Sequence, residues 1–375
     1  MTLIKNANII LENEILHNSS LLIDGEKIVK IGGNAPADEV IDANGAYVGP
    51  GFVDIHVHGG GGAMFNDDVQ KATEHFLAHG ETTQMPTLYY DLKPAEFLEA
   101  VKKIQNAMKE GITSKVIAGI YMEGPYMNPK YGATPDRNHW RGEIKSADYQ
   151  AILEQAGADA LVWAIAPERE GIEQFMTDAK AANPNTVFAM GHTETTPEQV
   201  DALKYNVNIM THVMNATGRS EGRIGTIPAG PNEACFLDDD MYAELICDSG
   251  AIHVPVPMQK LVLKIKGIDK IILISDSFVC DESNHPDALI YTDLSFDHNG
   301  LLCGSKLTLD VAVKNFIKHT GVSIPDAFKA ATINPAKAVG IDDKYGSIAE
   351  GKIANLVFCD SNLDVQKIML YGKII

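Results

Sequence analysis

The sequence predicts an α/β protein in which a (β/α)8 TIM barrel carries a small β-sandwich domain built from both chain ends. Two observations lead to this fold class. In the middle of the chain, short apolar runs alternate with stretches of helical periodicity, as in parallel strands joined by helices. At both ends, alternating apolar and polar residues are separated by Gly and Asn turns, which is typical of antiparallel strands. We therefore assign residues 1–50 and 341–375 to the small domain and residues 51–340 to the barrel.

The strands of the small domain come from two distant parts of the chain. The N-terminal ones are predicted in LIKNANIILEN, SLLIDGEKIVKIGG and EVIDANGAYVGPG, and the C-terminal ones in GSIAEGKIANLVFCD and DVQKIMLYGKII. Because both ends share this alternating pattern of apolar and polar residues, we expect them to pair into one domain.

The barrel strands are predicted from eight apolar runs. Helical patterns such as DVQKATEHFLAHG and KPAEFLEAVKKIQNAMKEG lie between them, and SAD and TPE are typical helix starts, with a capping residue and an early acidic residue. Eight strands alternating with helices favour a closed barrel over an open sheet. The runs are residues 53–58, 82–90, 115–123, 160–167, 186–192, 208–214, 242–248 and 270–276.

Composition excludes several classes of function. The 375 residues carry a net charge of −19 and no basic tract, which argues against nucleic acid and anionic membrane surfaces as partners. No apolar stretch approaches the roughly 18 residues of a membrane-spanning helix, and the first 20 residues lack the apolar core of a signal peptide. Five widely spaced cysteines without a CxxC motif indicate reduced thiols in a cytoplasmic protein.

Six polar residues stand where predicted strands end. In a barrel these strand ends point onto one face, and that face carries the active site. Residues up to 220 positions apart are therefore expected to converge on one metal centre. They are His56, His58, Glu123, His192, His212 and Asp276.

Each of these residues also has a structural interpretation. In a strand, His56 and His58 point to the same face, but such a pair alone indicates metal binding no more strongly than a structural role. A single histidine at a strand end is more often structural, whereas two of them together with the HxH pair favour ligands. A carboxylate such as Glu123 or Asp276 is costly to bury unless it is paired or bound to a metal, and a salt bridge to an arginine is the alternative.

The order of several motifs resembles the amidohydrolase superfamily and, within it, the N-acetylglucosamine-6-phosphate deacetylases. The motifs are PGFVDIHVHGGGG, MEGPYMNP, GHTE, THVMNA, SDS and GSKLTLD, and NPAKAVGI followed by GSIAEGKIANLVF resembles the superfamily's return to the β domain. The resemblance implies hydrolysis of the N-acetyl group of N-acetylglucosamine-6-phosphate to glucosamine-6-phosphate and acetate. Alternatives are the galactosamine epimer as substrate, or a cyclic amidase or N-acyl amino acid deacylase. An assembly subunit without catalysis is disfavoured, because every expected metal ligand is present.

The resemblance also implies roles for the six strand-end residues. Glu123, in place of the superfamily's carboxylated lysine, would hold one ion with His192 and His212. His56, His58 and Asp276 would hold a second ion, and Asp276 would also be the catalytic acid and base. The cofactor would be one or two divalent ions per subunit. Mixed histidine and carboxylate ligands suit zinc, the favoured metal, and also iron, cobalt or manganese.

A further set of residues matches the family's substrate contacts. Arg223 matches an arginine that binds the phosphate and tends to reach the neighbouring subunit's site, which implies a homodimer. The loop GATPDRNHW lacks the usual histidine or glutamine, for which Thr134 or His139 could substitute. DSGAIH and the segment around Arg223 also depart from the usual pattern, so the chemistry is better supported than the exact substrate. The matching residues are Ala133, Thr134, Asn215, Ala216, Arg223, His253, Leu302, Cys303 and Gly304.

Overall fold

A computed structural model describes residues 1–33, 35–219, 225–280 and 285–375. Its strands, in chain order, are β1 (Thr2–Ile10), β2 (Ile15–Asp24), β3 (Lys27–Ile31), β4 (Glu39–Asp42), β5 (Tyr47–Pro50), β6 (Phe52–Val57), β7 (Gly59–Gly60), β8 (Ala63–Met64), β9 (Glu81–Tyr89), β10 (Ile120–Glu123), β11 (Ala160–Ile165), β12 (Val187–Met190), β13 (Val207–Met210), β14 (Tyr242–Ile246), β15 (Ile271–Ile274), β16 (Leu294–Phe296), β17 (Leu302–Ser305), β18 (Leu356–Cys359), β19 (Val365–Leu370) and β20 (Lys373–Ile374).

The helices fall mainly between the strands of the central part. They are α1 (Val69–Ala78), α2 (Pro94–Ala107), α3 (Thr113–Val116), α4 (Ser146–Ala156), α5 (Ile172–Ala182), α6 (Pro197–Asp201), α7 (Pro231–Leu237), α8 (Val256–Lys266), α9 (Pro286–Ile290), α10 (Leu309–Thr320), α11 (Ile324–Ala331) and α12 (Ile333–Ala338), with short 3-10 turns at Pro135–Arg137, Gly157–Asp159 and Ile268–Lys270. Among the described residues, no helix is both long and apolar enough to cross a membrane.

Eight parallel strands form the barrel and confirm the predicted fold class. They are hydrogen-bonded in the order β6-β9-β10-β11-β12-β13-β14-β15. The first and last strands meet through single backbone hydrogen bonds, in which the Asp276 N–H donates to the His56 carbonyl (3.0 Å) and the His58 N–H donates to the Ser277 carbonyl (2.9 Å). We call this junction the seam. The barrel is therefore closed at the end where its strands terminate.

Two predictions about where helices and strands begin need correction. Thr196 caps α6 as predicted, since its side chain accepts from the Gln199 N–H, but Ser146 is the first residue of α4 and Lys145 holds the cap position. The predicted strand 115–123 is wrong in its first part, where α3 lies. There the Thr113 hydroxyl donates to the carbonyl oxygens of Ala107 (2.5 Å) and Glu110 (3.1 Å), which ties this segment to the end of α2.

The two chain ends form one eight-stranded sheet in the order β20-β19-β18-β5-β1-β2-β3, with β4 paired to β1. The ends join where Val48 of β5 lies opposite Phe358 of β18. Side chains from both ends, including Ile4, Leu21 and Met369, bury an apolar core separate from that of the barrel. The domain limits 1–50, 341–375 and 51–340 stay a prediction.

Candidate metal centre

The structure brings all six strand-end residues together at one end of the barrel. His56 lies in β6 and His58 directly follows it, and Glu123 is the last residue of β10. His192, His212 and Asp276 each come two residues after their strands end. None of the six is more than 8% exposed. They form two groups of three, and within each group the ligand atoms lie within 4.8 Å of one another.

The first group is centred on one oxygen of Glu123. Its Oε1 lies 2.8 Å from Nε2 of His192 and 2.9 Å from Nε2 of His212. The two imidazole nitrogens are 3.0 Å apart. We call Glu123, His192 and His212 the sheet group, because its three strands lie inside the hydrogen-bonded sheet.

The second group consists of His56, His58 and Asp276 and lies across the seam. Oδ1 of Asp276 is 3.5 Å from Nε2 of His56 and 3.3 Å from Nε2 of His58. The other oxygen of Glu123, Oε2, reaches this seam group, at 3.6 Å from His56 and 3.1 Å from His58. Glu123 therefore places one oxygen in each group, as a bridging ligand would.

Three of the six residues have strained backbones. His192, His212 and Asp276 have φ values of 46°, 30° and 46°, in the left-handed region that residues other than glycine rarely adopt. Such strain persists only where surrounding contacts hold it, and it concentrates at functional sites. Here the Asn128 N–H donates to the His192 carbonyl (2.9 Å), and the His212 N–H donates to Oε2 of Glu244 (3.2 Å).

Electrostatics keep the carboxylates of the centre charged. Burial acts to raise the pKa of Glu123, but the neighbouring imidazoles of His56, His192 and His212 hold that pKa well below its usual range. The pKa of Asp276 is likewise lowered, since burial is outweighed by the hydrogen bond from His58. Burial lowers the pKa of His192, which favours the neutral imidazole that a metal requires.

The donor atoms fit divalent metal ions. Nδ1 of His56 faces Oε2 of Glu244 at 3.0 Å, and a carboxylate only accepts, so this nitrogen carries the proton. Nε2 of His56 is buried without a hydrogen-bond partner and faces the Glu123 and Asp276 oxygens. In the neutral imidazole this nitrogen carries the lone pair, and a lone pair facing two carboxylates is repulsive unless a cation lies between them. Four imidazoles and two carboxylates are a typical ligand set for zinc and neighbouring metals.

A cavity of about 250 Å³ opens onto this centre. Thr134 is not among its lining residues, and the Thr134 backbone N–H donates to Oδ2 of Asp297 (3.0 Å). His139 is exposed and also does not line it. Arg223 lies outside the described residues. The predicted substrate residues that do line the cavity are Ala133, Asn215, Ala216, His253, Leu302, Cys303 and Gly304.

His253 is held in the cavity wall from both sides. Its Nδ1 lies 3.1 Å from Oδ2 of Asp248, and its Nε2 lies 3.1 Å from the carbonyl oxygen of Gly304. Gly304 has a φ of 56°, and a Cβ there would come within 2.5 Å of the Asp276 carbonyl oxygen. Only glycine fits where this strand passes the centre.

Several residues of the site were not predicted from the sequence. Tyr89 and Phe278 line the cavity, with ring centroids 5.7 and 5.1 Å from that of His58. Aromatic residues beside apolar runs resemble ordinary core, so the sequence offered no signal for them. Glu244 did carry a signal, since a lone glutamate inside the apolar run AELIC must find a partner when buried.

Comparisons with known proteins identify the class to which this barrel and its cluster belong. The model of the Amidohydrolase family matches residues 47–375, and the chain belongs to this family. An N-acetylgalactosamine-6-phosphate deacetylase of Escherichia coli O157:H7 is 30% identical over 342 residues, covering 87% of this chain and 86% of that protein. An N-acetylglucosamine-6-phosphate deacetylase of Haemophilus influenzae is 27% identical, covering 98% and 97%.

Solved structures extend this similarity to the fold. The N-acetylglucosamine-6-phosphate deacetylase of Pasteurella multocida superposes with a TM-score of 0.88 at 26% identity, covering 100% of this chain and 99% of that one. A variant of the Mycobacterium smegmatis enzyme, solved in complex with N-acetyl-D-glucosamine-6-phosphate, superposes with a TM-score of 0.82 at 26% identity, covering 100% and 98%.

Proposed function

We propose that the protein hydrolyses the N-acetyl group of N-acetylglucosamine-6-phosphate and releases glucosamine-6-phosphate and acetate. The observation that carries this proposal is the position of Glu123, which has one oxygen in each of two adjacent ligand groups at the base of a cavity. Similarity to sugar phosphate deacetylases over nearly the whole chain supports the substrate class. We propose a centre of two divalent ions, with zinc favoured over iron, cobalt or manganese.

The metal supplies two things when bound: it lowers the pKa of a bound water towards about 7 and polarises a carbonyl oxygen. Asp276 is the group placed to move protons, because it lines the cavity and its lowered pKa keeps it ionised near neutral pH. We propose that it accepts the proton of the attacking water and delivers it to the departing nitrogen, which must leave as an amine.

His253 is the proposed substrate-positioning group. It lines the cavity, and Asp248 holds its Nδ1 side, so the ring is fixed before substrate arrives. From this position His253 would orient the sugar or stabilise the oxyanion that develops on the acetyl carbonyl.

The phosphate requires a cation that the described cavity wall does not provide. No lysine or arginine is among the described residues that line it. We propose Arg223 for this role, supplied across a homodimer by the neighbouring subunit, because a guanidinium matches phosphate geometry with two parallel hydrogen bonds.

All five cysteines are buried and none forms a disulfide, which supports the proposal of a cytoplasmic enzyme.

The galactosamine epimer is the second candidate substrate. The relative that shares 30% identity with this chain is an N-acetylgalactosamine-6-phosphate deacetylase, so the similarity alone does not favour the glucosamine epimer.

The proposal is tested by measuring acetate release from three compounds: N-acetylglucosamine-6-phosphate, its galactosamine epimer and unphosphorylated N-acetylglucosamine. Each is assayed with zinc-loaded and with chelator-treated protein. We expect metal-dependent release confined to a phosphorylated sugar. Release from the galactosamine epimer alone would replace the substrate with the second candidate. No release from any of the three by zinc-loaded protein would overturn the sugar phosphate assignment.

The role of Arg223 is tested with a matched pair of variants. R223A is expected to raise KM for the phosphorylated sugar, whereas R219A is expected to leave KM unchanged, because Arg219 is ion-paired with Glu233. Equal effects of the two substitutions would contradict a specific phosphate contact by Arg223.

A further inference from the structure

Glu244 is a buried carboxylate in the barrel wall that the proposed reaction does not use. It lies in β14 and is 0% exposed. A carboxylate is costly to bury unless strong donors compensate it. Its ion-pair partner is an imidazole of the metal centre, His56, rather than a lysine or arginine.

One oxygen of Glu244 contacts both halves of the centre. Oε2 accepts from Nδ1 of His56 at 3.0 Å and from the backbone N–H of His212 at 3.2 Å. His56 belongs to the seam group and His212 to the sheet group. A single atom therefore fixes one ligand in each group.

The contact with His56 decides which nitrogen can bind a metal. Because Nδ1 donates its proton to Glu244, the neutral imidazole has its lone pair on Nε2, which faces Glu123 and Asp276. The ring plane is also fixed, since the Tyr121 ring stacks on His56 at 4.5 Å with an interplanar angle of 28°.

The contact with His212 acts on the backbone. His212 has a φ of 30°, and the carboxylate accepts its N–H at this strained position. The other imidazoles have weaker outer support among the described residues. Nδ1 of His58 and of His212 has no hydrogen-bond partner, and Nδ1 of His192 lies 3.4 Å from the Tyr131 carbonyl oxygen. His56 is thus the ligand that a protein carboxylate orients.

We propose that Glu244 is a positioning residue for metal binding, which fixes the tautomer and ring orientation of His56 and holds the backbone of His212. This inference rests on the proposed metal centre but not on the identity of the substrate. Loss of an outer carboxylate partner typically costs 10- to 100-fold in metal affinity. The loss is expected mainly in the seam group, which contains His56.

The test compares E244L with E81L in the full-length protein. Glu81 is a matched control: it is also 0% exposed and lies in a barrel strand, but its carboxylate accepts from the Leu309 N–H rather than from a residue of the centre. Zinc affinity is measured by competition with a chromophoric chelator. The tautomer of His56 is read from imidazole nitrogen shifts in the zinc-loaded protein, assigned by the loss of one signal in H56A.

We expect E244L to weaken binding of one zinc ion by about 10- to 100-fold and to shift the Nδ1–H signal of His56, because that proton loses its acceptor. E81L should change neither readout. E244Q retains an acceptor oxygen and should restore the signal. If E244L does not fold, E244D is used instead. Aspartate keeps the charge, but its shorter side chain moves the acceptor oxygen away from His56, so the same two changes are expected.

Two results would overturn the proposal: unchanged zinc affinity in both E244L and E244D, or a proton on Nε2 of His56 in the zinc-loaded wild-type protein. Failure of the proposed function gives a different result. In that case zinc binding and the tautomer depend on Glu244 as stated, while no sugar phosphate releases acetate.

Discussion

The two halves of the metal centre are built from similar residues but are held in different ways. In the sheet group the contacts between ligand atoms are 2.8 to 3.0 Å, whereas in the seam group Asp276 lies 3.3 and 3.5 Å from its two histidines. The sheet group comes from β10, β12 and β13, within the continuous sheet. The seam group comes from the ends of β6 and β15, which are not joined by a ladder of hydrogen bonds.

At the seam, the side chain of Asp54 links the two strands in place of a ladder of backbone hydrogen bonds. The two oxygens of Asp54 accept from the backbone N–H of His56 (3.0 Å) and of Ser275 (3.3 Å), one on each side of the junction. The seam group therefore depends on a few individual contacts, including those of Asp54 and Glu244, whereas the sheet group depends on the pairing of whole strands. We therefore expect the seam group to lose its metal ion before the sheet group does.

The largest effect is expected from E123A, because Glu123 has one oxygen in each half and the truncation removes both oxygens. Both ions should be lost, and turnover should fall by at least about 10³-fold, since metal ions contribute several kcal/mol to the barrier. Metal content after gel filtration and acetate release measure this. E81A, which truncates another buried glutamate, should retain both properties. Retention of one full equivalent of metal by E123A would show that Glu123 is not shared.

D276N separates the ligand role of the seam group from its chemical role. The amide can still offer an oxygen ligand but cannot transfer a proton, so kcat should fall by about 10²- to 10⁴-fold while metal remains bound. Kinetics and metal analysis on the same sample distinguish the two roles. Substantial activity in D276N would remove Asp276 from proton transfer.

The difference between the halves also shows what the sequence could predict. All six candidate ligands were predictable because each is a polar residue at the end of an apolar run, a position that a barrel gathers on one face. The eight strands followed from the same runs, except at 115–119, where β-branched residues resemble a strand although α3 and an extended connection lie there. The sequence did not reveal that one group would lie across the seam. The closure of the barrel depends on contacts between residues about 220 positions apart.

Residues inside the strands were harder to predict than those at the strand ends. Glu244 was recognisable as an isolated charge in an apolar run, but its partners, His56 and the His212 backbone, emerge only from the arrangement of neighbouring strands. Tyr89 and Phe278 gave no signal at all, because aromatic side chains in the core and in a cavity wall have the same sequence pattern.

A smaller effect is expected for the difference in metal affinity between the two groups, which stepwise removal of metal measures. In the wild-type protein, one equivalent should leave at a chelator concentration roughly tenfold below that needed for the second, a difference of about 1.4 kcal/mol. H58A should abolish the first step and keep the second, because His58 belongs only to the seam group. H192A should instead remove the tighter step. A single step in wild type, or the reverse assignment of the variants, would contradict the ranking of the two halves.

The last prediction concerns how the stability of the metal-free protein depends on pH through Asp54, which bridges the seam. Burial raises the pKa of Asp54 from its ordinary value to about 7. Between the two values the folded protein retains a proton that the unfolded chain has released, so this group makes stability fall as pH rises from about 4 to about 7, by no more than about 1.4 kcal/mol per pH unit. D54N cannot titrate, so urea unfolding of the metal-free variant should show a shallower decline between pH 5 and 7 than the wild type. Above pH 8 the two slopes should coincide, and equal slopes below pH 7 would mean that Asp54 is already ionised when it bridges the seam.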